Sequence, residues 1–219
     1  CGVGPGDEVI TTPFTWIITA NAIAATGAEP IFVDVLDDFN IDPSAIEKVI
    51  TPKTKAIVPM HVAGHMCDMK SIAKIAKEHS LLIIEDAAHA FCSSLNEKRA
   101  GTFSQAAGFS MNPMKILHAY GEAGAVTTNN KRIYNKLKQL RHAGTIQEKM
   151  KRHINRCNFI SLNHKIDTIQ ASMLISTMDR INEIKANEGM LNISILHTSA
   201  SILIQENADK DVLKDLKNF

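Results

Sequence analysis

Short apolar runs alternate with amphipathic stretches through the first part of the chain. EVITTPFTW (8–16) reads as a strand, and IITANAIAATG (17–27) as an alanine-rich helix stopped by Gly27. PIFVDV (30–35) is a short apolar strand, and DPSAIEKVI (42–50) a helix with Asp42 as cap and Pro43 at its first position. TKAIVPMH (54–61) is another strand, DMKSIAKIAKEHS (68–80) an amphipathic helix, and LLIIEDA (81–87) an apolar strand ending in acid. Strands this apolar, separated by helices, predict a mainly parallel sheet covered on both faces. The predicted fold class is α/β, a three-layer α/β/α arrangement.

After Ala87 the alternation changes. AGFSM (107–111) and GAVTTN (124–129) read as strands joined by a loop too short for a helical crossover. GAVTTN is therefore predicted to run antiparallel to its predecessor. KRIYNKLKQLRHAG (131–144) reads as a basic amphipathic helix ending at Gly144, and HINRCNFISLNHKI (153–166) as irregular chain. Residues 167–189 read as one long helix leading away from the sheet, while 190–219 carry no usable motif.

At 219 residues and 45% hydrophobic, the chain is long enough to bury a substantial core. Lys and Arg number 24 against 23 Asp and Glu, a balance that argues against a broad nucleic-acid footprint. Cys1, Cys67, Cys92 and Cys157 form no CxxC pair, so neither zinc nor a disulfide framework is indicated, and thiols idle in a reducing cytoplasm are expected. No apolar run approaches the roughly 20 residues of a membrane span. The chain opens without methionine on turn-forming residues that lead straight into a strand, which predicts N-terminal truncation.

In open α/β sheets, ligands bind beyond the carboxyl ends of the parallel strands. Two candidate groups stand there: Asp86, ending LLIIED, and Lys115, just after AGFSM. Taken singly, Asp86 could cap a helix or bind a metal, and Lys115 could be a solvated loop lysine. Together they suit pyridoxal phosphate chemistry. A partly desolvated lysine is a carbonyl-bonding nucleophile, and a carboxylate opposite a pyridine nitrogen is its counterpart.

The stretches GPGDEVITTPFTWIITANAIAATGAEPIFVDV, TPKTKAIVPMHVAGHMCDM, IIEDAAHAF, FSMNPMKILHAYGEAGAVTTNN and NHKIDTIQA stand in one order across residues 4–172. Through them the chain resembles the DegT/DnrJ/EryC1/StrS family of sugar aminotransferases, of the aspartate-aminotransferase-like fold (fold type I). The resemblance implies that Lys115 bonds covalently to the aldehyde of pyridoxal 5′-phosphate and that Asp86 bonds its pyridine nitrogen. It places Trp16 against the ring face, His89 beside the ring, and Ser110 on the cofactor phosphate. Ordinary core for Trp16, a structural histidine at 89 and a plain strand end at Ser110 are the competing readings. Asn163 is implied to reach the phosphate held by the neighbouring subunit, so a homodimer with shared sites is expected.

His61 and Gly64, in MHVAGH, match a motif near the family's active site and receive no chemical role. Gly121 and Gly124 read as glycines needed for backbone geometry, and Met111 and Met114 as packing. Lys165 stands where most members carry arginine, and Ala123 where GEGG has glycine; the family's phosphate-binding Gly-Ser/Thr turn would lie upstream of residue 1.

By this resemblance the chain moves an amino group from an amino-acid donor, usually glutamate, to the keto group of a nucleotide-linked deoxysugar. The product would feed polysaccharide, lipopolysaccharide or antibiotic-sugar synthesis in the cytoplasm. Residues 1–166 are expected to form the large cofactor domain, and 167–219 a connecting helix with a remnant of the small C-terminal domain. A non-catalytic relative that keeps the fold is the alternative. A sugar dehydratase on the same fold is disfavoured, because that class replaces the lysine by histidine.

Overall fold

The computed structural model describes residues 1–146 and 156–183. Among them, the first half of the chain builds strands β1 (Glu8–Thr11), β2 (Glu29–Phe32), β3 (Thr54–Ile57) and β4 (Leu82–Asp86). They alternate with helices α1 (Ile18–Ala24), α2 (Pro43–Ile46) and α3 (Met69–Glu78). There follow a two-residue-per-strand hairpin, β5 (Ser94–Leu95) with β6 (Lys98–Arg99), then β7 (Ala106–Ser110), β8 (Gly124–Thr127), α4 (Lys131–Arg141) and α5 (Thr168–Glu183). Six strands form one sheet in the order β2-β1-β3-β4-β7-β8, parallel except for the antiparallel β7–β8 pair. The mixed sheet and the reversed β8 agree with the sequence pattern. The long run 167–189 is helical as far as Glu183, and its remainder, with residues 190–219, lies outside the described residues.

The period-two alternation of the strands explains the layers. Ile10, Ile57 and Ile83 point to one face and pack with Ile46 of α2 and Met69, Ile72 and Ile75 of α3. Val9, Ala56 and Val58 point to the other and pack with Ile23 of α1. Each fully buried isoleucine contributes about 1.5–3 kcal/mol relative to exposure, so the inward positions of adjacent strands hold the sheet in register.

Several elements are shorter than their apolar runs. β1 stops at Thr11 rather than Trp16: Pro13 has no amide proton to give a ladder, and Thr12 Oγ1 accepts the Phe14 N–H at 3.2 Å to start a turn. The 42–50 helix is one α-turn, capped by Asp42 through the Ser44 N–H as predicted, that tightens to a 3₁₀ turn over Glu47–Val49. The β5–β6 hairpin is absent from the sequence reading. Its turn residues Asn96 and Glu97 both take positive φ, 50° and 63°, without the Asn-Gly pair that usually announces such a turn.

Candidate functional site

The chain leaves β1 for β2 on one side of the sheet and returns to β3 on the other, which opens a crevice at the carboxyl ends of β1 and β3. Beyond that edge lie the segments that follow β1, β3, β4 and β7, and they carry Trp16, His61, Asp86 with His89, and Ser110 with Lys115.

Asp86 ends β4, paired in register with Gly108 of β7. It follows Glu85 by one residue, so the pleat turns the two carboxylates to opposite faces. Asp86 takes the α1 face, where the Thr19 hydroxyl meets its Oδ2 at 2.6 Å. Its Oδ1 accepts the Ala88 N–H at 3.1 Å, closing a short turn. No helix begins there, so this acid closes a turn with one oxygen rather than capping a helix. His61 N–H donates to the Asp86 carbonyl at 3.2 Å, and Asp86 N–H to the Pro59 carbonyl at 2.9 Å, so the main chain beneath the carboxylate is fixed from the β3 side.

Lys115 stands on a tight turn after β7. Asn112 builds it: its Oδ1 accepts the Met114 N–H at 3.0 Å and its carbonyl accepts the Lys115 N–H at 2.9 Å. The ammonium is half-buried. Burial pushes Lys115 below the ordinary lysine value, and the negative charge of Asp86 opposes that shift. His89 is likewise lowered, first by burial and then by the Lys115 charge, against the pull of Asp86. Lys115, Asp86 and His89 therefore share one electrostatic environment. His89 Nδ1 accepts the Ala63 N–H at 3.3 Å, which leaves the proton of the neutral ring on Nε2. Ala63 makes that contact from a left-handed backbone, φ 50°.

Beneath the site lies a group the sequence reading left without a role. His61 and Glu85 are fully buried with Nε2 and Oε2 3.1 Å apart. His61 Nδ1 accepts the Cys67 N–H at 3.2 Å, so its Nε2–H donates to Glu85. Glu85 also accepts Gly101 N–H at 2.7 Å, Phe103 N–H at 3.0 Å and the Ser104 hydroxyl at 2.6 Å. An unpaired buried carboxylate would cost several kcal/mol. Burial alone would raise the Glu85 carboxyl, but bonds from His61, Ser104 and Gly101 outweigh it and hold the group below its usual range. One acid thus ties the end of β4 to the segment after β6 and to the turn that carries His61.

Other candidates are placed as follows. Trp16 is 74% exposed, which rules out the core reading in this chain. Ser110 ends β7, and its hydroxyl lies 3.4 Å from the Asn112 N–H as acceptor. Asn163 is exposed and bridges by backbone to His142. Gly121 and Gly124 are not at positive φ, contrary to the reading of backbone need. A Cβ on Gly124 would come 3.0 Å from the Phe109 carbonyl, so that glycine serves a close backbone approach, whereas one on Gly121 would meet only the flexible end of Gln170 of α5, at 2.8 Å. Met114 is exposed rather than packed. Thr15, Thr19 and Glu85 are site or support residues that the sequence reading missed. Nothing in a threonine's local sequence signals a partner 67 positions away.

Comparison with known proteins adds an independent line. The family model described as the DegT/DnrJ/EryC1/StrS aminotransferase family matches residues 1–194. The chain is 45% identical over 174 residues to a pleiotropic regulatory protein of Geobacillus stearothermophilus, covering 79% of this chain and 45% of that one. It is 38% identical over 183 residues to the UDP-2-acetamido-2-deoxy-3-oxo-D-glucuronate aminotransferase of Pseudomonas aeruginosa, covering 83% and 49%. Among solved structures it is similar to Helicobacter pylori PseC, an aminotransferase involved in the biosynthesis of pseudoaminic acid. There the TM-score is 0.76 and the identity 32%, with 82% of this chain and 47% of that chain covered. The chain spans about half the length of the curated relatives it matches.

Proposed function

The chain belongs to the DegT/DnrJ/EryC1/StrS aminotransferase family, whose aminotransferases depend on pyridoxal 5′-phosphate, and we propose that it moves an amino group from an amino-acid donor, glutamate by preference, to the keto group of a nucleotide-linked deoxysugar. The observation that carries this reading is the half-buried Lys115 amine within the field of the Asp86 carboxylate, on the ends of adjacent strands.

The residues present fit the cofactor. Lys115 offers an amine whose burial favours the neutral, nucleophilic form. Asp86 has one donor on each oxygen and keeps lone pairs free for a pyridinium N–H. The Ser110 hydroxyl, which accepts the Asn112 N–H, has its own proton to donate to a phosphate, and exposed Trp16 offers a ring face. When bound, the cofactor supplies an electron sink that makes the donor's Cα–H acidic. Lys115 Nζ would then accept and hold the Cα proton, its burial favouring the free amine that this requires. His89, held through Nδ1 by the Ala63 N–H, keeps its Nε2–H as a donor in the same electrostatic environment, and the Asp86 carboxylate would bond the ring nitrogen and favour its protonated form.

We assign Asn163 to the phosphate of a neighbouring subunit in a homodimer; its exposure is what that role requires. We also assign residues 1–166 to the cofactor domain and 167–219 to the connecting helix and part of a C-terminal domain, with the product entering glycan synthesis, lipopolysaccharide included, in the cytoplasm. Among the described residues no helix is long and apolar enough to cross a membrane.

Borohydride reduction of cofactor-loaded protein, followed by peptide mass spectrometry, tests the reading. A cofactor-derived mass on Lys115 is expected, and Lys115→Ala should lose it together with about 10³-fold or more of transamination rate. Cofactor bound without a label on Lys115 would favour the non-catalytic relative.

A further inference from the structure

We propose that Thr19, oriented by Thr15, is a positioning residue for Asp86, and that this hydroxyl pair fixes the carboxylate relative to Trp16. The proposal deepens the functional reading above and rests on it. Thr19 is buried at the start of α1, and its Oγ1 lies 2.6 Å from Asp86 Oδ2. An ionised carboxylate only accepts, so the single Thr19 hydroxyl proton is committed to Asp86. The contact between Thr15 and Thr19, 3.0 Å from oxygen to oxygen, then has one possible direction: Thr15 donates and Thr19 accepts. The two bonds run the same way toward the negative charge, and each strengthens the other.

The same pair holds the aromatic candidate. Trp16 lies between the two threonines in sequence, and its carbonyl accepts the Thr19 N–H at 3.1 Å. Thr19 is therefore bonded to the Trp16 main chain through its amide and to Asp86 through its hydroxyl. The other Asp86 oxygen is held by Ala88 N–H, from a different element. Donors from two elements fix the plane of the carboxylate, and each oxygen keeps a lone pair for a pyridinium. The N-cap position of α1 is Ile17, so neither threonine stands where a capping side chain would, and their hydroxyls instead form the chain Thr15–Thr19–Asp86.

Thr19→Val keeps the shape and removes the donor, while Thr19→Ser keeps the donor. Trp16 is the chain's single tryptophan, so its fluorescence quenching during titration with pyridoxal 5′-phosphate reports cofactor binding at the site. The dissociation constant of Thr19→Val should rise about tenfold or more, the loss expected for a hydrogen bond to a charged group, and Thr19→Ser should return toward wild type. In turnover, kcat should fall in the valine variant with little change in KM for the amino donor. Wild-type affinity in Thr19→Val overturns the proposal. NMR of the cofactor-free wild type gives a reading that does not depend on the variant folding: a Thr19 hydroxyl proton protected from solvent exchange is expected, and a freely exchanging one overturns the relay. A wild-type protein that takes up no cofactor overturns the functional reading instead, while hydroxyl protection still decides the relay.

Discussion

Cys67 is fully buried below the His61 turn, where its Sγ–H donates to the Met60 carbonyl at 3.1 Å and its own N–H holds His61 Nδ1. Burial pushes the thiol up to about 12. An unfolded thiol ionises near pH 8.5, so above that pH the folded state retains a proton that the unfolded state has lost. The sign is then fixed: the contribution of Cys67 is fully present below about pH 8.5 and drains away as pH rises toward 12, by up to about 1.4 kcal/mol per pH unit. Urea unfolding between pH 8 and 10 should show this slope in the wild type and a shallower one in Cys67→Ala; equal slopes would sink the argument. In the native protein, a thiol reagent should reach the exposed Cys1, Cys92 and Cys157 and spare Cys67. At this scale the sequence was readable where a residue's place in a strand determines its job. Asp86 and Lys115 stand out because each follows an apolar strand, and an unpartnered charge there needs a reason. Glu85 was not readable, since one register step separates a site acid from a buried structural one. Thr15 and Thr19 were hidden because their partner lies on another strand.

Among the elements, the crossing of residues 142–146 with 157–163 depends on one glycine. Gly144 takes φ +73°, and a Cβ there would overlap the Phe159 carbonyl. Around it, Asn158 N–H donates to the Gly144 carbonyl at 2.9 Å and Ile146 N–H to the Arg156 carbonyl at 3.0 Å. Gly144→Ala combines left-handed strain with a backbone clash and should cost about 3 kcal/mol. Gly4→Ala, where the nearest atom is 3.9 Å from the added Cβ and φ is ordinary, should be close to neutral by comparison. Urea midpoints rank the two, and hydrogen exchange should accelerate at Ile146 and Asn158 in the first variant alone; an undisturbed Gly144→Ala would show that the crossing tolerates a rearranged carbonyl. Gly144 was legible only as the stop of α4, because the segment it packs against arrives from 13 or more residues later. The sheet was legible for the opposite reason: each parallel strand announces itself by its own apolar run. The boundaries shifted where one residue overrode the run, as Pro13 did after β1.

Among the described residues, large apolar side chains are left in water at many places, and one group of them falls close together in sequence. Ile160, Leu162, Ile166 and Ile169 follow one another from the chain before α5 into its first turn, and Ile160 is fully exposed. Isolated exposed apolar residues are ordinary, but four of them within ten residues of chain suit a surface covered by another surface. Asn163 sits inside the set and is exposed with it. In the proposed dimer this is the coherent arrangement: the apolar residues bury against a second copy, and the asparagine between them is carried to that copy's phosphate. The near-balanced charge leaves no strong repulsion to oppose self-association. Replacing Ile160 and Leu162 together by aspartate places two charges in that surface without touching Lys115, Asp86 or Thr19. Sedimentation velocity should then show a shift from dimer to monomer, and the affinity for pyridoxal phosphate should weaken in parallel as each site loses its donor from across the interface. A variant that stays dimeric would move the interface elsewhere. A monomer that binds cofactor as tightly as the wild type would keep the interface and remove Asn163 from the site.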